Sequence, residues 1–265
     1  MKNKIKRVKL FPNYNEKSRK QAEILKEKLE KNGYILDDQN FSLGIAVGGD
    51  GSFIRMVKEC NFNEKIYYLG VNTGTLGFAQ EIYPNDIDLF LDKLINNDFK
   101  IEEIGVEETK LKTKEGVLEF YSLNEILVRD KALNTMKLKV YINDYLLENF
   151  VGDGILISTS FGSTAYNLSF GGSIVYSDLH TMQITPVAPL NSKSYQVLRN
   201  SVVIPENRII SLVPNHSSKN LIITVDGENR FYNDVEKIEI SVQRKIKFLR
   251  MNDYDYTKKI NEKFL

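Results

Sequence analysis

The first hundred residues alternate between short apolar runs and stretches with a helical period. The runs at 5–10, 43–47 and 66–71 have the length and the polar, Pro or Gly boundaries of buried strands. Between them, apolar residues recur every three or four positions, as in a helix with one buried face. This order predicts an α/β N-terminal domain, in which a parallel sheet carries helices on both faces.

Polar residues beside these helical stretches suggest where three helices start and end. Ser18, with Gln21 three residues later, is typical of a capping box, so the first helix is expected to begin at Ser18. It is expected to end just before Gly33, because glycine readily takes the left-handed conformation that follows a helix. A second helix is predicted at 52–60 and a third at 86–94.

After about residue 104 the chain changes to the short runs that are typical of antiparallel strands. Residues 111–113 and 117–120 flank a turn and predict a hairpin. Further strands are predicted at 138–142, 145–150, 155–157, 202–204, 209–212, 221–225 and 238–242. The second half of the chain is therefore predicted to be a β-rich C-terminal domain.

One helix is predicted within this β-rich half, near 164–168. The charged stretch from about residue 245 is expected to return to the first domain as a strand or a tail. The predicted domains are thus 1–103 together with the tail 245–265, and 104–244.

Composition narrows the class of protein. Apolar residues make up 42% of the 265 residues and charged residues 27%, with a net charge of +1. These values are typical of a soluble globular protein and give no general attraction to nucleic acid or to an anionic membrane. No apolar run approaches the roughly 20 residues of a membrane helix, and the basic start lacks an apolar signal segment. We expect a cytoplasmic protein without nucleic-acid or membrane partners.

Cysteine and histidine are scarce. Cys60 is the only cysteine, which excludes an intramolecular disulfide and is in keeping with a reducing compartment. His180 and His216 do not have the spacing of metal ligands. No metal site built by the protein itself is expected.

A glycine-rich turn, Gly48–Ser52, lies between the second predicted strand and the second predicted helix. Glycines let the backbone approach a ligand closely, and amides at the start of a helix favour phosphate. Asp50 is unusual beside a phosphate, but a carboxylate can accept the proton of an alcohol that is being phosphorylated. The alternative is a tight turn in which Asp50 is only a local hydrogen-bond acceptor.

A second glycine segment follows the next predicted strand and includes Asn72, Gly74, Leu76 and Phe78. Ligands of parallel sheets bind beyond the carboxyl ends of the strands, where both glycine segments are expected. Their convergence predicts a binding site at this edge of the sheet.

Three further polar groups are predicted in the β-rich half. Asn124-Glu125 offers an amide and a carboxylate, which suit a purine edge and a ribose diol, although polar residues at a strand end are the simpler interpretation. The stretch 159–169 is dense in small hydroxyl residues and includes Tyr166, which can stack on a base. Asp226-Gly227 favours a type I′ hairpin turn, whether or not Asp226 also contacts a ligand.

Several well-known nucleotide motifs are missing from the sequence. It has neither a Walker A lysine pattern nor a protein-kinase catalytic loop. The Rossmann fingerprint begins at Gly49 but fails at Ile54, so a conventional dehydrogenase is poorly supported.

With these residues in place, the chain resembles the NAD kinase family nearly from end to end. The first glycine motif is shared with phosphofructokinases and lipid kinases, whereas the segment 162–166 with Asn124-Glu125 is highly specific. The motifs that carry the resemblance are Gly48-Gly49-Asp50-Gly51, Asn72 through Phe78, Asn124-Glu125, Gly152-Asp153-Gly154, Ser158 through Tyr166, Gly171-Gly172 and Val225-Asp226-Gly227.

The resemblance implies phosphorylation of the adenosine 2′-hydroxyl of NAD to give NADP, with ATP and Mg²⁺ (or another divalent cation) or with polyphosphate. It implies that Asp50 accepts the proton of that hydroxyl, and that the β-rich domain binds NAD. The implied substrate- and nucleotide-binding residues are Gly49, Gly51, Asn72, Gly74, Leu76, Phe78, Asn124, Glu125, Asp153, Phe161, Thr164, Ala165, Tyr166, Ser169, Ala188 and Asp226.

In the family, residues at the positions of Asp153 and Ala188 reach the nicotinamide half of NAD from a neighbouring subunit. The resemblance therefore implies a homo-oligomer, a dimer or a tetramer, with the site at a subunit interface. Three departures from the family pattern are expected to affect the affinity for the substrate. Val151 stands where many members have arginine, Phe161 replaces a small hydroxyl residue, and Gly227 stands where some members have histidine.

Two other functions remain compatible with the sequence. A lipid kinase shares the first glycine motif, and a regulator that binds NAD(H) without chemistry shares the binding residues. Donor preference, NAD against NADH selectivity, feedback by NADP(H) and the number of subunits are left open by the sequence.

Overall fold

The computed structural model describes residues 5–74 and 77–265 of the chain. The chain divides into two compact units. Met1–Glu103 and Ile246–Leu265 form the first, which we call the α/β unit, and Ile104–Lys245 form the second, which we call the β unit.

Across the described residues the chain forms 16 strands and five α-helices. The strands are β1 (Arg7–Pro12), β2 (Ile35–Leu36), β3 (Leu43–Gly48), β4 (Tyr67–Asn72), β5 (Phe99–Thr113), β6 (Gly116–Ser122), β7 (Glu125–Asp130), β8 (Met136–Ile142), β9 (Tyr145–Gly152), β10 (Gly154–Thr159), β11 (Thr181–Val187), β12 (Val202–Pro205), β13 (Ile210–Pro214), β14 (Leu221–Val225), β15 (Glu228–Tyr232) and β16 (Val235–Met251). The helices are α1 (Glu16–Lys31), α2 (Asp50–Glu59), α3 (Ile87–Asn96), α4 (Tyr166–Ser169) and α5 (Tyr256–Phe264). Every predicted strand is present.

The α/β unit is built on a parallel sheet with the strand order β2-β1-β3-β4, continued by the last residues of β16. Leu43, Ile45 and Val47 of β3 belong to one buried cluster with apolar residues of α1 and α3. Gly44 faces the opposite side of the sheet, since neighbouring strand residues alternate. A Cβ atom there would lie 3.2 Å from the Sδ atom of Met56 in α2. Helices therefore cover both faces, as predicted.

The first two helices begin earlier than their predicted starts. Asn15 caps α1 by accepting the N–H of Ser18 at 2.8 Å, so the predicted cap at Ser18 is wrong. The Ser18 hydroxyl is buried instead and bonds to the hydroxyl of Thr73 at 2.7 Å. Helix α2 begins at Asp50 rather than at 52, because the extended backbone of Gly49 already forms its N-cap. Asp50 is thus a helix residue and not a loop residue.

Two antiparallel sheets make up the described strands of the β unit. One has the order β12-β11-β10-β7-β14-β15, and in the other the first half of β16 pairs with β13, followed by β8 and β9. Strands β5 and β6 form the predicted hairpin. A single buried cluster draws residues from both sheets, among them Ile126, Ile155, Val140 and Leu212. The β-rich C-terminal domain is confirmed.

Some elements differ from the sequence predictions. The strands β2, β7, β11 and β15 were not predicted as strands. The helix expected at 164–168 is a 3-10 turn, Phe161–Thr164, followed by the single-turn α4. The chain end, expected as a strand or tail, continues β16 to Met251 and then forms α5. The carboxylate of Asp255 starts α5 by accepting the backbone N–H groups of Thr257 and Lys258.

Candidate active site

Asp50 is held by a segment that follows β4. Its carboxylate accepts the backbone N–H of Phe78 at 3.1 Å and that of Ala79 at 2.9 Å. A side chain at Gly77 would collide with this carboxylate, so the close approach requires glycine. The structure thus brings the two predicted glycine segments together at Asp50, whose described hydrogen bonds come from the second segment and not from its own turn.

The glycines of these segments differ in their surroundings. A Cβ atom built on Gly49, Gly51 or Gly74 would have no described atom within 4 Å. These positions face open space, so packing does not account for glycine there, whereas the approach of a ligand would. Asn72 is buried and accepts the N–H of Gly74 at 3.0 Å, which shapes the second segment. Leu76, a predicted site residue, lies outside the described residues.

Two residues beside Asp50 were not identified from the sequence. Gln80 is completely buried, and its backbone carbonyl accepts a hydrogen bond from Lys259 of α5 at 2.7 Å. Lys259 is itself only 7% exposed. Recognising the Asp255 cap would have predicted a helix here, but the charged tail gives no sign that one of its lysines is buried.

In the β unit, the Asp226-Gly227 turn holds the Asn124-Glu125 pair. The φ angles of Asp226 and Gly227 are 44° and 84°, so both central residues are left-handed, as the predicted type I′ turn requires. The Asp226 carboxylate accepts the backbone N–H groups of Leu123 at 3.0 Å and Asn124 at 2.7 Å. The turn therefore fixes the backbone from which β7 begins.

Glu125 is a buried acid at the start of β7. Its side chain accepts the backbone N–H of Tyr166, while its Oε2 atom has no hydrogen-bond partner in the described part of the chain. Burial raises its pKa to about 8, and the neighbouring charge of Asp226 adds to the rise. At neutral pH the group is therefore largely protonated, so it can donate one hydrogen bond and accept others.

A second acid, Glu107 of β5, lies behind this pair. It is fully buried and accepts the hydroxyl proton of Ser122 at 2.9 Å. Burial raises its pKa well above the ordinary value, and the charges of Asp226 and Glu125 oppose its ionisation further. Three carboxyl groups thus influence one another at this end of the β unit.

The hydroxyl-rich turn is attached to the same strand start. The hydroxyl of Thr159 donates to the Leu123 carbonyl at 2.8 Å and accepts the N–H of Gly162 at 2.9 Å. A side chain at Gly162 would collide with the Asn124 carbonyl, so this contact also requires glycine. The turn consequently lies directly against the Asn124-Glu125 pair.

The side chains of this turn differ in exposure. Phe161, at 9%, is nearly buried, so it is part of the packing of the turn. Thr164 and Ala165 are half-buried and Ser169 is exposed. The Tyr166 ring is 40% exposed and packs against Phe170 with ring centroids 4.7 Å apart. A ring with one supported face and one open side suits a stacked base.

Asp153 and Ala188 form a separate, exposed corner of the β unit. The N–H of Asp153 donates to the carbonyl of Val187 at 3.0 Å, which places Asp153 beside the residue that precedes Ala188. Ala188 has a left-handed φ of 43°. Val151, the expected departure from the family pattern at this corner, is buried, with 4% of its surface exposed.

Comparison with known proteins identifies the family. Residues 3–99 match the ATP-NAD kinase N-terminal domain, and residues 123–257 match the ATP-NAD kinase C-terminal domain. The NAD kinase of Finegoldia magna is 39% identical over 275 residues, which cover 100% of both chains. The NAD kinase of Streptococcus gordonii is 34% identical over 263 residues, which cover 94% of this chain and 91% of the relative.

Solved structures share the fold. The crystal structure of yeast NADH kinase complexed with NADH superposes with a TM-score of 0.84 at 20% identity, covering 98% of this chain and 88% of the yeast chain. The NAD kinase from Archaeoglobus fulgidus in complex with ATP gives a TM-score of 0.75 at 19% identity, covering 97% of this chain and 98% of the other.

The fold and the family matches together define a kinase, an enzyme that transfers phosphate to an alcohol group. The chain belongs to the ATP-NAD kinase family. The resemblance, the fold class and the enzyme class predicted from the sequence are confirmed. Membership favours this class over the lipid kinase and the non-catalytic regulator that the sequence left open.

Proposed function

We propose that this chain phosphorylates the adenosine 2′-hydroxyl of NAD to give NADP, with Asp50 as the proton acceptor. ATP as its magnesium complex is the proposed donor, and polyphosphate is a second donor to be tested. Family membership supports the substrates, since the yeast relative was solved with NADH and the archaeal relative with ATP. The observation that carries the role of Asp50 is the pair of amides that orients its carboxylate.

The reaction needs one proton acceptor. The 2′-oxygen attacks the terminal phosphorus of the donor, a new P–O bond forms, and the bond to the leaving phosphate breaks. The hydroxyl proton passes to the Asp50 carboxylate. A carboxylate has about four acceptor positions, and the N–H groups of Phe78 and Ala79 occupy one on each oxygen. The remaining acceptor positions are available to the substrate hydroxyl. The two amides fix the orientation of the Asp50 carboxylate before the substrate binds.

The divalent cation is proposed to enter with the donor. Residues 5–74 and 77–265 contain no group of three or more His, Cys, Asp or Glu residues that would hold a metal ion. Magnesium usually binds to substrate phosphates and to one or two carboxylates. This protein offers Asp50 beside the open backbone of Gly49 and Gly51, whose lack of side chains leaves room for phosphates. Phosphoryl transfer asks the protein mainly for positioning and charge stabilisation. The open backbone at the start of α2 is proposed to provide the positioning, and the cation would provide the charge stabilisation.

The NAD subsite is proposed to lie in the β unit, on the residues that Asp226 and the hydroxyl-rich turn hold together. Asn124 has a side-chain amide, and Glu125 has a buried carboxyl oxygen without a partner among the described residues. A ribose diol supplies the hydroxyl groups that would satisfy this carboxyl. The half-open ring of Tyr166 is proposed to stack on the adenine, with Phe161, Thr164, Ala165 and Ser169 as further contacts.

Quaternary structure and location are also proposed. Asp153 and Ala188 are both exposed and close together, which suits the expectation that they reach the NAD of a neighbouring subunit. We propose a homodimer or a homotetramer, to be tested by light scattering.

In the portion of the chain that the structure describes, no helix combines the length and the apolar character needed to cross a bilayer. A cytoplasmic location is proposed, as is the assignment of 104–244 as the NAD-binding domain.

The test of the proposed reaction is direct. Purified protein is incubated with NAD, ATP and Mg²⁺, and NADP is measured with an NADP-specific dehydrogenase. A parallel reaction contains NAD that lacks the adenosine 2′-hydroxyl. The proposal expects NADP from NAD and no phosphate transfer to the analogue. A third reaction replaces ATP by polyphosphate. Transfer to the analogue would show that the acceptor hydroxyl is wrong, and the absence of NADP with either donor would contradict the proposed function.

A further inference from the structure

We propose that Lys259, in the C-terminal helix α5, is a positioning residue for phosphoryl transfer, because it anchors the segment whose backbone amides orient Asp50. The inference rests on the proposed function, since it takes Asp50 as the proton acceptor. It assigns a role in the reaction to the last helix of the chain.

The first step is the dependence of Asp50 on the segment 77–80. Both described hydrogen bonds to its carboxylate come from this segment, through Phe78 and Ala79. The carboxylate also lies so close to Gly77 that a side chain there would collide with it. The direction of the carboxylate therefore follows the position of this segment.

The second step is that α5 contacts the same segment through several side chains. The Phe78 ring lies 5.8 Å from the ring of Tyr256 and 5.5 Å from the ring of Phe264. Lys259 Nζ donates to the Gln80 carbonyl at 2.7 Å. Gln80 is buried, and neither atom of its side-chain amide has a partner among the described residues. Backbone contacts therefore hold this residue, and the bond from Lys259 is one of them.

The third step is that packing alone does not account for a lysine at this position. All residues of α5 are described, and Lys259 is the buried one. Burying an ammonium group costs free energy unless it is paired. Burial lowers the pKa of Lys259, as does the charge of Arg250, whereas Glu81, Glu262 and Asp50 oppose that change. An apolar residue fills such a space at lower cost, but it cannot donate a hydrogen bond to the carbonyl.

The test removes the anchor while keeping the length of the side chain. In Lys259→Met, kcat for NADP formation is expected to fall about ten- to hundredfold, because small displacements of reacting groups have effects of this size. The dissociation constant of NAD, measured by calorimetry, is expected to stay near the wild-type value. The matched control is Lys258→Met, which changes the neighbouring lysine, whose side chain is 75% exposed. Its kcat is expected to equal that of the wild type.

Hydrogen exchange gives a readout that does not depend on activity. The peptide containing Phe78 and Ala79 is expected to exchange faster in Lys259→Met than in Lys258→Met. Lys259→Arg keeps a cationic donor and is expected to recover part of the lost kcat and the protection. If Lys259→Met does not fold, Phe264→Ala carries the same expectations, because Phe264 is 41% exposed and tolerates truncation better.

The outcomes separate this inference from the proposed function. Unchanged exchange in the folded variant overturns the anchoring role, as does a kcat within about twofold of the wild type. Asp50→Asn is measured beside them. If that variant stays active while Lys259→Met exchanges faster, the anchor is real and the role of Asp50 is wrong. If Asp50→Asn is inactive and Lys259→Met is indistinguishable from the wild type, the inference alone fails.

Discussion

Asp226 accepts the backbone N–H of Asn124 at 2.7 Å, although the two residues are 102 positions apart in the sequence. The same carboxylate accepts the N–H of Leu123. A hairpin turn between β14 and β15 thus fixes the start of β7, where Glu125 lies. Asp226 therefore belongs to the candidate site because it holds the backbone of Leu123 and Asn124, and this role does not require contact with the substrate.

Asp226→Asn is therefore expected to weaken NAD binding. The substitution removes a charged acceptor from two backbone amides, and a hydrogen bond to a charged group contributes about 1.5–3 kcal/mol. KM for NAD is expected to rise about ten- to hundredfold, with a smaller change in KM for ATP. Steady-state kinetics measures both values. Asp144→Asn, at an exposed hairpin turn, is the matched control. An unchanged KM for NAD in Asp226→Asn would contradict the role of this turn.

Glu125 predicts a pH dependence of stability. Its pKa rises from an ordinary value of 4.5 to about 8 on folding. Between these values the folded chain keeps a proton that the unfolded chain has released, so the contribution of Glu125 to stability falls as pH rises through this window. The slope approaches about 1.4 kcal/mol per pH unit.

Glu125→Gln tests this dependence, because glutamine resembles the protonated acid and does not titrate. Urea titrations give the free energy of unfolding of both proteins. The wild type is expected to lose stability relative to the variant as the pH rises from 5 to 8. Glu115→Gln, at an exposed turn, should show no such trend. A constant difference for Glu125→Gln across the window would show that this carboxyl is not protonated in the folded protein.

Gly77→Ala is expected to disturb Asp50 specifically. The added methyl group would collide with the Asp50 carboxylate and with the side-chain oxygen of Gln80. The carboxylate must move, so kcat should fall by at least about tenfold while the protein stays folded. In an Asp50→Gly background the first collision disappears, and the loss of melting temperature caused by Gly77→Ala should become smaller. Equal losses in both backgrounds would rule out the collision as the cause.

Phe161 provides a test of the packing of the hydroxyl-rich turn. Its ring is nearly buried, so Phe161→Ala should lower the free energy of unfolding by about 3 kcal/mol. Phe231→Ala removes the same group at a position that is 61% exposed and should change stability by less than about 0.5 kcal/mol. Urea titration of both variants measures the difference. Equal effects would show that Phe161 does not support the turn.

The sequence predicted those parts of the fold that depend on neighbouring residues. The buried runs of β3 and β4 and the helices that cover the sheet follow from local apolar periodicity. The turn at Asp226-Gly227 follows from the preference of these residues for left-handed backbone, which both adopt. These features are visible in a window of a few residues.

Other features depend on contacts that no local pattern contains. Asn15 and Ser18 are both good caps, and the burial of Ser18 against Thr73 decides between them. The partner of Asp50 is 28 positions away, at Phe78. The Asp255 cap and the four-residue spacing of apolar residues indicate helix α5, but no local pattern shows that Lys259 within it is buried. The residue types of the site were visible in the sequence, whereas the groups that orient them were not.

The measurement that tests the central claim most directly is a comparison of Asp50→Asn with the wild type, by kcat for NADP formation and by calorimetric binding of NAD. Asparagine preserves the size of the side chain but cannot accept the proton, and general-base help contributes roughly 10²–10⁴ in rate. Asp86→Asn, at the exposed start of α3, is the matched control and should behave as the wild type. The account predicts a fall in kcat of that size in Asp50→Asn, with NAD binding largely retained. A kcat close to the wild-type value would contradict the role of Asp50.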